Sequence, residues 1–316
     1  MRLSAGIWWC LTFLVLDAVQ AVYCGGIFQR LDSFGFGAIV FGVPAAAAIG
    51  FVWLAKPGQL EAALKARASL VWLNVTTAGA WLAYFLAIQL IEPAVAFTLF
   101  SGTIPLAALV AARLGFDAPA EAGGALARAG HMLLAAGMVA LAVFTLAGWS
   151  GFVRGGVAVA LAGLALSAVA GALITGMLLS SHGLVRAGVG PLAQFGLRFP
   201  LYTVLALAGF ALGIDAKPET VTALPDYLFA VAVGFAVLSF PIYAVQQAVA
   251  LTSTTTIAAF AAAGPLVVFG LQMVEGRVDY STATLAGLVV YFAGALTAAL
   301  AGTLSGLRRA RAAQGR

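Results

Sequence analysis

Charge is what this chain has least of. Asp, Glu, Lys and Arg make up 9% of its 316 residues, where a soluble domain carries roughly 25%. So few charges cannot cover a water-facing surface, so most of the surface must face lipid. Histidine is scarcer still, with His131 and His182 alone. Neither has a partner at metal-ligand spacing, so no metal and no cofactor is expected. The two cysteines, Cys10 and Cys24, lie in the first apolar run. Their separation along one helix excludes a bond between them, and they read as small apolar packing residues. The sequence has no P-loop and no Cys/His cluster, which excludes an ATP-driven pump on one chain. Paired carboxylates at one interface are missing too, so no enzyme is expected.

The net charge of +5 does not point to nucleic acid. Arg308, Arg309, Arg311 and Arg316 sit in a short tail behind an apolar run, which is a membrane-flank pattern.

What is there is apolar, at 63% of the chain. A helix needs roughly 20 apolar residues to cross the hydrocarbon. Charge clusters and Gly/Pro breaks leave ten such segments: 7–28, 34–55, 70–90, 94–113, 129–148, 155–180, 190–212, 226–249, 254–273 and 282–304. The first has the basic start of a secretory signal. Its apolar stretch runs on to Phe28 and contains Asp17, so it is read as a spanning helix. With the N-terminus placed in the cytoplasm, eleven Lys and Arg fall on that side: Arg2, Lys56, Lys65, Arg67, Arg113, Arg128, Arg186, Arg308, Arg309, Arg311 and Arg316. Four fall on the other: Arg30, Arg154, Lys217 and Arg277. The positive-inside rule then predicts an inner-membrane protein with both termini cytoplasmic.

The chain also repeats. Leu16-Asp17-Ala18-Val19 matches Leu166-Ser167-Ala168-Val169, and Gly26 falls on Gly176. Ile104-Pro105-Leu106 matches Gly264-Pro265-Leu266. This divides the chain into residues 1–149, residues 150–305 and a basic tail, 306–316. Five helices per half is an odd number, so the second half enters from the opposite side and the repeat is inverted. The expected fold is an all-α membrane protein of ten transmembrane helices around a central cavity.

Each half resembles an EamA-type domain of the drug/metabolite transporter superfamily. The resemblance rests on a short connection after the third helix, a fourth helix rich in small residues with a central proline, and a compact fifth helix. Glu275-Gly276-Arg277 is similar to that family's acidic-glycine turn. The first half departs from the pattern, with Arg113-Leu114-Gly115-Phe116-Asp117 and a longer 114–128 loop. The arginine often seen in the second helix of such a half is Arg198 in the second repeat, where the first has Val40 or a neighbour. Members of this type export amino acids and other metabolites, or carry nucleotide sugars or cationic drugs. The resemblance implies fold and transport, not a substrate.

Polar groups in mid-membrane are expensive, so each needs a reason. Asp17 shares a face with Gln20 and Cys24. Two readings stand. Asp17 is a proton or cation site, similar in position to the essential carboxylate of small multidrug resistance proteins, or it is a buried acid paired with Arg198 or capped by Asn74. Its repeat mate is Ser167, so a carboxylate site would be asymmetric. Arg198 either holds a substrate carboxylate or packs. Asn74, Thr77 and Trp81, continued by Tyr84, form one stripe at helical spacing; Ser239, Tyr243, Gln246 and Gln247 form another on the corresponding helix. Such stripes suit a cavity for small polar molecules, and also serve interhelical bonding. Pro105 and Pro265 bend their helices and are candidate hinges. Glu92-Pro93 and the Thr252–Thr256 run read as helix starts. Gly163, Gly171 and Gly176 suit close helix packing.

The sequence therefore predicts a secondary transporter, an exporter of a small polar metabolite such as an amino acid, by alternating access. The alternative is proton-coupled export of organic cations through Asp17. The expected partners are a small-molecule substrate, membrane lipid and, in the alternative, protons. A monomer is sufficient and a dimer is compatible.

Overall fold

The computed structural model describes residues 2–116, 124–217, 224–251 and 254–314. Nearly all of them are helical, and no strand occurs among them beyond a single bridge between Ile91 and Val153. Helix is the expected answer to lipid, because every backbone N–H and C=O must find its partner within the segment. The helices are α1 (Arg2–Ile27), α2 (Ser33–Ala55), α3 (Pro57–Lys65), α4 (Arg67–Leu90), α5 (Pro93–Arg113), α6 (Ala125–Leu146) and α7 (Val157–Arg186). They continue with α8 (Pro191–Leu197), α9 (Pro200–Ala211), α10 (Leu224–Gly234), α11 (Phe240–Leu251), α12 (Thr254–Glu275) and α13 (Thr282–Gln314).

Among the described residues, eight stretches are long and apolar enough to cross a membrane: Ala5–Ile27, Ser33–Ala55, Arg67–Leu90, Pro93–Arg113, Ala125–Leu146, Val157–Arg186, Pro191–Ala211 and Thr282–Gly302. The eighth and ninth expected segments are represented by shorter apolar helices, Tyr227–Ile242 and Phe260–Glu275. The chain is thus a multi-pass membrane protein. Large apolar side chains point outward along its length, among them Val43, Phe51, Val139 and Leu207. Exposed Trp8, Trp53 and Trp72 stand near one end of the bundle and Trp149 and Tyr280 near the other, as interfacial aromatics do.

Four local departures from the sequence reading have physical causes. The seventh segment is broken between α8 and α9, because Pro200 lacks an N–H and its ring crowds the preceding turn. A π-helical turn, Phe235–Ser239, joins α10 to α11 just before Pro241. A wider turn relieves the same proline conflict. A short helix, α3, follows α2 directly, with Pro57 in its first turn, where a missing N–H costs nothing. Both α7 and α13 outrun their expected ends. His182 therefore lies exposed in the last turns of α7 rather than in a loop, and the tail to Gln314 is helical.

We call the end where α1 begins proximal and the other distal. At the distal end, Ser33 donates its N–H and hydroxyl to the Asp215 carboxylate at 3.0 and 2.7 Å. Lys217 pairs with Asp215 and donates to Gln89 Oε1 at 3.2 Å. Arg154 N–H donates to the Leu90 carbonyl at 2.9 Å, and Asp279 N–H to that of Gly151 at 3.1 Å. Residues 28–32, 91–92, 147–156, 212–217 and 276–281 therefore gather at one end. The cations assigned by the sequence to the non-cytoplasmic side, Arg30, Arg154, Lys217 and Arg277, are all there. The proximal end is tied by Gln59, whose Oε1 accepts from Gly190 N–H at 3.0 Å.

Packing follows a definite pattern. α7 lies against α4 and α5, and α1 lies against α11 and α12. α2 packs on α8 and α9, α5 on α12, and α6 on α13. Small residues set the closest approaches. A Cβ on Gly171 would stand 2.2 Å from the Phe100 carbonyl oxygen, and one on Gly163 would stand 2.7 Å from Ile91. In the α6–α13 pair, Gly130, Gly137 and Gly294 each face the backbone of the other helix at 2.5 Å or less. Such contacts let helices approach closely where lipid supplies no hydrophobic drive.

A candidate binding site between the helices

The polar residues in mid-helix fall into two groups. Asn74 belongs to the first. Its Nδ2 donates to the carbonyls of Leu70 and Leu197 at 3.0 and 2.8 Å, and its Oδ1 accepts from Leu201 N–H at 3.2 Å. Asn74 thus satisfies the backbone groups that the α8–α9 break leaves open.

The second group has no such use. Gln20 Nε2 on α1, Thr77 Oγ1 and Tyr84 OH on α4, Arg198 Nε and Tyr202 OH at α8–α9, and Ser239 Oγ in the π turn are all buried atoms. None of them has a hydrogen-bond partner among the described residues. A buried polar atom left unpaired costs about 1–3 kcal/mol. Six drawn from α1, α4, α8–α9 and the π turn are far from the usual state of buried polar groups, most of which are paired.

Asp17 is half-buried and makes no hydrogen bond or ion pair among the described residues. The Tyr84 hydroxyl lies within its electrostatic reach. Arg198 does not pair with Asp17. Its Nη1 donates to the Met177 sulfur at 3.6 Å, and its guanidinium lies 5.8 and 5.6 Å from the ring centres of Phe195 and Phe199. The pairing offered as one reading of Asp17 does not occur, nor does a cap from Asn74, whose amide is engaged elsewhere.

An aromatic run connects three of these residues, Tyr84, Tyr202 and Arg198. Tyr84 meets Trp81 at 6.2 Å, and Trp81 meets Phe41 of α2 at 4.7 Å. Phe41 stacks on Phe199 at 4.5 Å and meets Tyr202 edge-on at 5.3 Å. Tyr202 lies over Gly37, where a Cβ would stand 2.0 Å from its hydroxyl, so a larger residue there would displace the Tyr202 ring. Sequence reasoning missed Tyr202, Phe41 and Phe199. An aromatic in an apolar run carries no sign of which way it faces.

The side chains of Tyr243, Gln246 and Gln247 lie outside the described residues, as do Thr252 and Ser253. Pro105 and Pro265 sit inside α5 and α12, which continue through them. Among the described residues no three of His, Cys, Asp and Glu gather as a metal site would need. Cys10 and Cys24 are free and buried.

Glu92 and Pro93 start a helix, as the sequence reads them. Glu92 stands at the N-cap position of α5, yet its side chain caps nothing. Its carboxylate is fully buried and accepts from Gln272 Nε2, from Thr284 Oγ1 at 2.8 Å and from Gly151 N–H at 2.8 Å. Burial pushes its carboxyl above the ordinary range, and the three donors oppose that shift without cancelling it.

No protein-family model matches the chain. No curated protein matches it either. Solved structures do share its fold. One, described only as "Crystal structure of protein", superposes with a TM-score of 0.62 at 19% identity, covering 95% of this chain and 98% of that one. The architecture is therefore one already seen in a solved protein, over nearly the full length of both.

Proposed function

We propose that this chain is a secondary transporter of a small polar metabolite, an EamA-type member of the drug/metabolite transporter superfamily working by alternating access. The observation that carries the reading is the set of buried polar atoms on α1, α4, α8–α9 and the π turn that lack a partner among the described residues, three of whose residues an aromatic run links. Buried polar atoms without protein partners are suited to a polar molecule that visits. Trp81 and Tyr84 would meet its apolar part, and Gln20, Thr77, Tyr202 and Ser239 its polar groups.

The packing supports two inverted halves of five membrane-crossing helices each. Exchange α1 with α7, α2 with α8–α9, α4 with α10–α11, α5 with α12 and α6 with α13. The contacts of α1 with α11 and α12 then become those of α7 with α4 and α5. The pairs α2 with α8–α9, α5 with α12 and α6 with α13 map onto themselves. Two equivalent halves can exchange conformations and so turn one site to either side. The excess of Lys and Arg toward the proximal end supports cytoplasmic termini.

The test begins with a thermal-shift screen of metabolites on purified protein, where a bound ligand stabilises by mass action. The best hit is then followed in proteoliposomes. Trp81→Ala and Tyr84→Phe should each lower its transport at least about tenfold, the loss of roughly 1.4 kcal/mol of binding. Transport at wild-type rates in both variants would remove the site.

A second reading, proton-coupled export of organic cations, is favoured by one observation: Asp17 has no cationic partner among the described residues. Cation binding should then release protons from the wild type and not from Asp17→Asn. Equal release from both would end that reading.

A further inference from the structure

Among the described residues Glu92 is the fully buried acid; it accepts three hydrogen bonds and lies outside the candidate binding site. Its three donors come from three places: Gln272 on α12, Thr284 on α13 and Gly151 in the α6–α7 connection. Gln272 also turns back to α5, where its Oε1 accepts from Ala94 N–H at 3.1 Å. It takes over the capping that Glu92 does not perform. Ser281 Oγ accepts from Thr284 N–H at 2.9 Å and donates to the Trp149 carbonyl at 2.5 Å. Asp279 N–H reaches the Gly151 carbonyl at 3.1 Å. The α12–α13 turn, with Gly276 at φ +77°, carries Glu275 and Arg277 over Gly25 and Gly26 of α1. Every one of these bonds lies at the distal end, and most of them join the first five long helices to the last.

We propose that Glu92 is the latch of a distal gate: its carboxylate holds α5 to α12, α13 and the α6–α7 connection while that end is shut, and lets go when it opens. The proposal rests on the alternating-access reading above.

The energetics suit a latch. A buried carboxylate without donors would be prohibitive, and with three it becomes tolerable. Opening would hand the same carboxylate to water, which replaces all three donors. The closed state is thus held by a group that both states can satisfy, and the two need differ by only a few kcal/mol.

The latch is also one-sided. Matching Pro105 with Pro265 places Thr252 opposite Glu92 and Ser253 opposite Pro93. In the sequence, the position matching Glu92 is thus a hydroxyl residue and not a carboxylate. The charged residues on the elements around Glu92 are Arg154, Glu275, Arg277 and Asp279. Arg277 is engaged with Glu275 at 3.1 Å and lies 5.3 Å from the Phe152 ring centre.

Cys24 is a built-in reporter. It is fully buried in α1, one residue before the Gly25–Gly26 pair that the α12–α13 turn covers. In Cys10→Ala protein it is the sole thiol. The experiment measures its labelling by a polar maleimide in lipid nanodiscs. Glu92→Gln and Thr284→Val should each raise the labelling rate roughly tenfold or more, as expected for losing a hydrogen bond to a charged group. Gly294→Ala, which disturbs the α6–α13 contact, should label at the parent rate. Parent-rate labelling in both latch variants would overturn the proposal. So would equally fast labelling of Gly294→Ala, which would make the effect a general loosening. If the latch variants open and the parent protein moves no solute into vesicles, the latch stands and the transporter reading falls. If solute moves and labelling is unchanged, the latch alone falls.

Discussion

Gly294→Ala adds one methyl group where α13 crosses α6. Its Cβ would stand 2.2 Å from Leu134 N and 2.7 Å from Leu134 Cα. Ordinary contact is roughly 3.5–4 Å, so the helices must part by about 1 Å or more. The obstructing atoms are backbone, and no rotamer change clears them. Overpacking costs about 1–3 kcal/mol, and a backbone clash that no rotamer clears lies in the upper part of that range, about 2–3 kcal/mol. Replacing glycine by alanine within a helix returns about 1 kcal/mol. The net expectation is a loss of roughly 1–2 kcal/mol, a fall of about 2–6 °C in Tm for a chain of this size. Gly270→Ala is the internal control. A Cβ there meets nothing within 4 Å, so this variant should gain about 0.4–1 kcal/mol. Thermal unfolding in one detergent compares the two. A Gly294→Ala protein as stable as the parent would refute the claim that backbone contact through glycine sets the α6–α13 distance. A loss in Gly270→Ala equal to that in Gly294→Ala would do the same.

Asn74→Leu removes a side chain that serves three backbone groups, and leaves Leu201 N–H and the Leu197 carbonyl unpaired. It should cost about 2–6 kcal/mol in thermal stability, at roughly 1–3 kcal/mol for each of the two unpaired groups; a fall under 1 kcal/mol would show that the α8–α9 break needs no cap. Glu92 predicts a pH dependence. Its carboxyl is raised by burial, so the folded protein holds that proton more tightly than the unfolded chain. Its contribution to stability is largest below the ordinary carboxyl value and declines as pH rises through the interval to the raised one. The Tm difference between wild type and Glu92→Gln should therefore fall as pH rises from about 4.5. A flat or rising difference would contradict the burial argument.

Much of the fold is legible in the apolar runs, because in lipid a segment satisfies its backbone locally or not at all. Ser33–Ala55 and Ala125–Leu146 lie close to where length and composition put them. The distal gathering of Arg30, Arg154, Lys217 and Arg277 follows from the same reading. Two proline-driven breaks, at Pro200 and before Pro241, escaped it. Each looks like one more apolar residue in an apolar run until the ring meets a particular turn.

The polar residues are another matter. Asn74, Thr77 and Trp81 form one stripe in sequence, yet Asn74 closes a helix break while Thr77 and Tyr84 keep unpartnered hydroxyls. Glu92 reads as a helix start and is one, yet its side chain bonds to α12, α13 and the α6–α7 connection. Nothing within five residues on either side tells these fates apart. A side chain's type and spacing say what it can bond, and lipid dictates that its helix forms. Which atom it meets depends on helices more than a hundred residues away, as with Asn74 and Leu201 or Glu92 and Thr284, and only their packing settles that.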